Sequence, residues 1–216
     1  MSWNIDCVVV GPIQCNCYVI VEEQSRKAYL IDPGAESKEL MQHLAKRKLD
    51  LQAILITHAH IDHVGGIEEV IGKFPVKAYY HQGDSFLYQN LAMQAELFGV
   101  TPAHLMAAQP ASGEAALQHD REFPLDGGRI RVIHTPGHTP GSVCFHASGD
   151  GSLLFSGDTL FAGSIGRTDL WGGDFDQIID SIKARLLTLD EATQVYPGHG
   201  PATTIGEERR DNPFLT

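Results

Sequence analysis

The ten residues THAHIDHVGG, Thr57 to Gly66, put His58, His60, Asp62 and His63 within six positions, directly after the apolar run Ala53 to Ile56. Imidazole and carboxylate donors suit zinc, iron or manganese. A strand end followed by a glycine turn lets neighbouring side chains splay toward different ions. The stretch is therefore read as a metal site, and its splayed donors as two.

Three later stretches offer one obvious ligand each. His138 stands between two Pro-Gly pairs in HTPGHTPGS (His134 to Ser142), Asp158 follows an apolar run in SGDTLFAGSIGRTDL (Ser156 to Leu170), and His199 lies in YPGHG (Tyr196 to Gly200). Each falls at an expected strand end, where backbone is exposed and side chains can converge. The remaining histidines take the plainer reading. His134 is a candidate for support of His138, whereas His43, His81, His104, His119 and His146 read as surface or hydrogen-bonded residues.

The elements that must position these ligands are short strands alternating with helices. Val8 to Val10, Tyr18 to Val21 and Ala28 to Ile31 read as strands, with Asp32-Pro33-Gly34 as the following turn. A helix then opens near Glu36 and Glu39, buries Leu40, Met41, Leu44 and Ala45, and ends on Lys46, Arg47 and Lys48, as the helix dipole favours. Ala53 to Ile56 returns to strand. Ile130 to Ile133, Val143 to His146 and Leu153 to Phe155 form a second strand group. A helix over Phe175 to Leu187 follows, with Asp174 and Gln177 resembling a capping box. Between the groups, Asp84 to Leu97 has helical spacing and Thr101 to Leu117 is rich in Ala, Pro and Ser; a cover over the site and an ordinary helix with its loop are both open readings. Two strand groups, each followed by helix, predict an α/β fold of two sheets face to face with helices outside, in a single domain over residues 1–216.

Composition narrows the function. The formal charge of −11 argues against a nucleic-acid partner, which draws affinity from clustered Lys and Arg. No apolar stretch approaches the length of a membrane span, and MSWNIDCVVV lacks the cationic start of a secretory signal, so a cytoplasmic protein with no membrane partner is expected. Cys7, Cys15, Cys17 and Cys144 have no framework spacing and read as reduced.

With these residues in view, the chain resembles the metallo-β-lactamase superfamily, whose HxHxDH motif, lone His, Asp and final His it matches in order. GDTLFAGSIGRTDL, PGHGP and the stretch NPFL (Asn212 to Leu215) are similar to the short, single-domain glyoxalase II-like hydrolases. The resemblance implies an αββα sandwich. It also implies that His58, His60 and His138 hold a first metal, that Asp62, His63 and His199 hold a second, and that Asp158 bridges. Two divalent ions per chain are expected, zinc foremost, with iron or manganese as alternatives. Two such ions with two carboxylates and a hydroxide leave one net positive charge, so a hydroxide held beside Asp62 and Asp158 would attack an acyl carbonyl.

The implied substrate is a small acyl thioester, S-lactoylglutathione in particular, cleaved to glutathione and lactate. Arg167 stands where such enzymes place a Lys that contacts glutathione and is the candidate substrate contact. The tyrosine that follows in that family is replaced by Thr168, Asp169 and Leu170. Only 17 residues follow His199, where full-length glyoxalase II carries a helical glutathione-binding domain, so modest glutathione affinity is expected. Asp158 argues against a zinc β-lactamase with a Cys ligand, and His60 against a flavodiiron protein. The acidic balance argues against RNA-processing relatives. A persulfide dioxygenase shares GRTD (Gly166 to Asp169) and would use one iron on His58, His138 and Asp158; a non-enzymatic metal-binding module is a third reading.

Overall fold

A computed structural model describes residues 3–100, 116–149 and 151–216. Most of the Thr101 to Leu117 stretch, His104 included, lies outside them. The chain divides into two compact units, Ser2–Ala116 and Leu117–Thr216.

In the first unit, β1 (Trp3–Val10), β2 (Cys15–Glu22), β3 (Lys27–Ile31), β4 (Asp50–Leu55) and β5 (Ala78–Tyr79) form one sheet in that order. β1 to β3 pair antiparallel, and β4 joins β3 in parallel. The parallel step needs a crossover, and α1 (Lys38–Arg47) supplies it. Ser37 caps α1 by accepting from the Leu40 amide at 3.2 Å, Lys46 and Arg47 fill its last turn, and Lys48 closes it in the left-handed conformation. The expected helix is thus present with its three cations at its end and with Leu40, Met41 and Leu44 buried, whereas Ala45, expected inward, faces solvent. β2 is buried along its whole length, and Val19, Ile20, Leu30, Leu44, Ile54 and Leu55 are core residues.

After β4 the chain enters α2 (Ile61–Val64) and α3 (Ile67–Lys73). Farther on, the Asp84 to Leu97 stretch forms two helices, α4 (Ser85–Gln89) and α5 (Leu91–Phe98), broken at Asn90.

The second unit holds a six-stranded sheet. In chain order its strands are β6 (Glu122–Leu125), β7 (Gly128–His134), β8 (Val143–Ser148), β9 (Ser152–Gly157), β12 (Gln194–Pro197) and β13 (Thr203–Thr204). Their order in the sheet is β13-β12-β9-β8-β7-β6, with only β12 and β9 parallel. A separate hairpin, β10 (Leu160–Phe161) and β11 (Ser164–Ile165), follows β9. The helix expected over Phe175 to Leu187 is α6 (Phe175–Ser181) continued by a π turn over Ile182–Leu186. Ile178, Ile182 and Leu186 are fully buried, in a core shared with Cys144, Leu154 and Val195. Asp174 caps α6 by accepting from the Gln177 amide. A complete capping box starts α7 (Ile205–Asp211), between Thr204 and Glu207. Among the described residues no helix is long and apolar enough to cross a membrane.

Candidate metal centre

Four of the seven expected ligands lie in the first unit, on the loop that leaves β4 and on the first turn of α2. His58, His60 and His63 are buried. The His58 ring lies 4.7 Å from that of His60 and 4.0 Å from that of His63, centroid to centroid. His63 Nε2 is 3.6 Å from Asp62 Oδ2.

Asp32 sets how these rings present their nitrogens. Its Oδ1 accepts from the Thr57 amide at 2.8 Å, and its Oδ2 accepts from the Thr57 hydroxyl at 2.6 Å and from His63 Nδ1 at 2.9 Å. Because the single Thr57 hydroxyl proton goes to Asp32, Thr57 Oγ1 is left to accept from His58 Nδ1, 3.1 Å away. One buried carboxylate thereby fixes both imidazoles as Nδ1–H tautomers, with the lone pair on Nε2. Asp32 reaches this position through a tight turn: its φ is +49° and that of Gly34 is +63°. A Cβ on Gly34 would lie 2.2 Å from Val10 Cγ2 and 2.9 Å from the Asp62 carbonyl oxygen, so only glycine lets β1, the turn and α2 approach this closely.

Two further buried polar residues hold the ligand loop. Asp84 Oδ2 accepts from the Ala59 amide at 2.9 Å. Gln94 on α5 accepts from the Ile61 amide at 3.0 Å and donates to the Ala59 and Leu87 carbonyls at 3.1 and 2.9 Å. The segment from Ala59 to Ile61, which carries His60, is thus pinned from both sides of its backbone.

The other three ligands lie in the second unit, each after a strand of its sheet: His138 after β7, Asp158 after β9 and His199 after β12. His138 Nε2 is 3.8 Å, and His199 Nε2 is 3.7 Å, from Asp158 Oδ2. His138 Nδ1 donates to the Arg167 carbonyl at 2.7 Å, which again leaves the lone pair on Nε2. That contact requires Gly166, where a Cβ would stand 1.8 Å from the Asp158 carbonyl oxygen and 3.2 Å from His138 Cγ. The turn carrying His138 is braced by His134, whose Nε2 lies 3.0 Å from the Pro140 carbonyl oxygen, by Ser181 donating to the Pro136 carbonyl and by the Asp174 amide donating to the Gly137 carbonyl. The Arg167 guanidinium forks onto Asp169, with Nε and Nη2 at 2.6 and 2.8 Å from its two oxygens.

The metallo-β-lactamase superfamily model matches residues 10–199, a span that contains all seven ligand candidates. The chain belongs to that superfamily. It is 38% identical over 213 residues to the hydroxyacylglutathione hydrolase GloC of Haemophilus influenzae, covering 98% of both chains. The solved structure of BLEG-1, a B3 metallo-β-lactamase, matches with a TM-score of 0.85 at 37% identity, over 99% of this chain and 100% of that one. TTHA1623, solved in a di-iron-bound form, matches with a TM-score of 0.82 at 39% identity, over 97% of this chain and 100% of that one. The α/β fold of the metallo-β-lactamase type expected from sequence is therefore the fold of this chain, and its class is that of a metal-dependent hydrolase.

The donor set fits the metal chemistry of this superfamily. Separations of 3.6 to 3.8 Å between Nε2 and carboxylate oxygen exceed a hydrogen bond and suit two donors about 2 Å from a shared cation. His and Asp groups able to hold an ion are present, with no thiolate among them. Sequence reasoning missed Asp32, Thr57, Asp84 and Gln94 as supporting residues. Asp32 looked like turn punctuation, although it directly follows the apolar run Ala28 to Ile31. The plainer histidines have the hydrogen-bonded roles expected of them: His43 on Asp6, His81 accepting from the Gly83 amide, His119 accepting from the His134 amide and His146 on Ser152.

Proposed function

We propose that this chain is a dinuclear metal-dependent hydrolase of a small acyl thioester, S-lactoylglutathione being the leading case. In this reading the two units act as one domain over residues 1–216. His58, His60 and His138 would hold one ion, Asp62, His63 and His199 the other, with Asp158 shared between the two sets. Zinc is the first candidate metal, ahead of iron and manganese. Bound there, the ions would supply Lewis acidity toward an acyl carbonyl and lower the pKa of water toward about 7.

The observation that carries the reading is the proton placement at the imidazoles. His58, His63 and His138 each give the Nδ1 proton to a chain oxygen, on Thr57, Asp32 and Arg167, so each offers Nε2 as a donor without a proton to lose. Asp62 and Asp158 would offset part of the charge of two divalent cations and leave the centre positive, as an anionic nucleophile requires. A thiolate leaving group needs little protonation, so the chain's task is to hold ligands and substrate in place. The likeness to GloC supports the thioester; Arg167, the substrate contact expected from sequence, has its guanidinium paired with Asp169.

The test is metal analysis after loading, combined with thiol release from S-lactoylglutathione and from a neutral thioester. Two ions per chain and thiol release are expected. Saturation at one iron with oxygen uptake driven by a thiol persulfide would replace the reading with a dioxygenase. Hydrolysis of a chromogenic β-lactam without thioester turnover would place the chain with the β-lactamase that BLEG-1 represents.

A further inference from the structure

NPFL, Asn212 to Leu215, has no part in the ligand set, yet it is fastened with unusual care. Asn212 is fully buried. Its Nδ2 donates to the Ser164 carbonyl at 3.0 Å and to Glu208 Oε2 at 2.7 Å, and its Oδ1 accepts from the Phe214 amide at 3.0 Å. Buried Glu208 accepts in turn from the Gly163 amide at 3.0 Å and the Thr203 hydroxyl at 2.7 Å. These bonds tie the stretch to the β10–β11 hairpin, the piece of chain between Asp158 and Gly166.

The result is that Phe214 stands at a concavity of about 350 Å³ whose other walls are Phe175 and residues 165–169. Phe214 is 44% exposed and Phe175 52%. Single exposed aromatics are ordinary, but two that converge on one concavity offer apolar area that a ligand would remove from water. Gly166 joins this wall to two of the candidate ligands, since a Cβ there would stand 1.8 Å from the Asp158 carbonyl oxygen and 3.2 Å from His138 Cγ. Among the described residues the charges on the wall are Arg167 and Asp169, and they neutralise each other in a two-point fork.

We infer that this concavity receives the uncharged, apolar part of the substrate, and that Phe214 and Phe175 are the specificity-determining residues. Apolar contact then selects the substrate, while the Arg167–Asp169 pair leaves the rim with little preference for an anion. The inference rests on the thioester-hydrolase reading for what is turned over, though not for what binds.

Two thioethers that cannot be hydrolysed separate the possibilities, neutral S-benzyl-N-acetylcysteamine and anionic S-benzylglutathione, each titrated calorimetrically into the metal-loaded protein. Their Kd values should agree within about threefold, because an exposed and already paired charge adds little. Phe214→Ala and Phe175→Ala should each weaken both probes about tenfold, with Phe214→Leu recovering most of the loss. Asp169→Asn should release Arg167 and tighten only the glutathione probe, by about threefold or more. Unchanged affinity in Phe214→Ala, with melting temperature and metal content preserved, overturns the inference, as does a parent that prefers the anionic probe by more than about tenfold. Probe binding without hydrolysis of any thioester overturns the hydrolase reading and leaves this one standing. Hydrolysis with a KM indifferent to Phe214 does the reverse.

Discussion

Asp32 holds His63: its Oδ2 accepts the Nδ1 proton at 2.9 Å, and both side chains are almost completely shielded from solvent. The same oxygen governs His58 through the Thr57 hydroxyl. Asp32→Ala removes the acceptor for both imidazoles and strands the Thr57 amide. Metal affinity should fall about 10- to 100-fold, with a loss of about 1–3 kcal/mol in stability from the unpaired donors. Competition against a chelator reads the first and denaturant unfolding of metal-free protein the second. A variant that retains the parent's metal affinity would remove Asp32 from the design of the site.

The contrast between His58 and Asp32 shows what was legible in the sequence. The candidate ligands could be picked out because THAHIDHVGG compresses four donors into a local pattern, and His138, Asp158 and His199 stand among glycines and prolines at strand ends. Asp32, Asp84 and Gln94 act on the segment from Thr57 to His63 from 25 to 35 residues away. Their partners are backbone groups, the Thr57 hydroxyl and a histidine already counted, so no spacing rule marks them. The strand groups and α1 were legible from apolar periodicity and caps. The split of α4 from α5 was not, since Asn90 breaks the helix without glycine or proline. The two-residue strands β5, β10, β11 and β13 are too short to carry a pattern.

Gln94 is the sharpest case of support at a distance, because one side chain satisfies the Ile61 amide and the Ala59 and Leu87 carbonyls. Gln94→Leu keeps similar volume and deletes all three bonds. Each buried group left unpaired costs about 1–3 kcal/mol, so the variant should be among the least stable single changes in the first unit. Metal affinity should drop as well, since the backbone that carries His60 is released. A midpoint of chemical unfolding equal to the parent's would show that solvent replaces Gln94 without cost.

Asp158 and Cys144 separate metal binding from core packing within one unit. Asp158→Ala should lower metal content and activity together, because this carboxylate faces both His138 and His199. Cys144 is fully buried, and burial pushes its thiol up to about 11, so it stays protonated and inert at neutral pH. Cys144→Ala should leave metal content and activity nearly unchanged. Thiol labelling of the native protein should modify exposed Cys7 first, with Cys15, Cys17 and Cys144 reacting only after denaturation. Full metal occupancy in the Asp158 variant, or rapid labelling of Cys144 in the folded parent, would contradict this assignment.

His146 makes acid stability a test of the second unit's sheet. It sits on β8 opposite Arg131 of β7, with Nε2 2.9 Å from Ser152 Oγ. Burial, followed by the charges of Arg131 and Arg129, pushes its pKa down to about 4 from the ordinary 6.5. Between those two values the unfolded chain binds a proton that the folded chain refuses. The contribution is therefore complete above pH 6.5, declines as pH falls through the window and levels off below about 4. His146→Gln keeps a polar partner for Ser152 and removes the titration. In chelator-treated protein the unfolding free energy of this variant should vary less with pH between 6.5 and 4 than that of the parent, the difference closing above the window. Parallel pH profiles in the two proteins would show that His146 already accepts its proton in the folded state, and that Arg131 and the sheet do not exclude it.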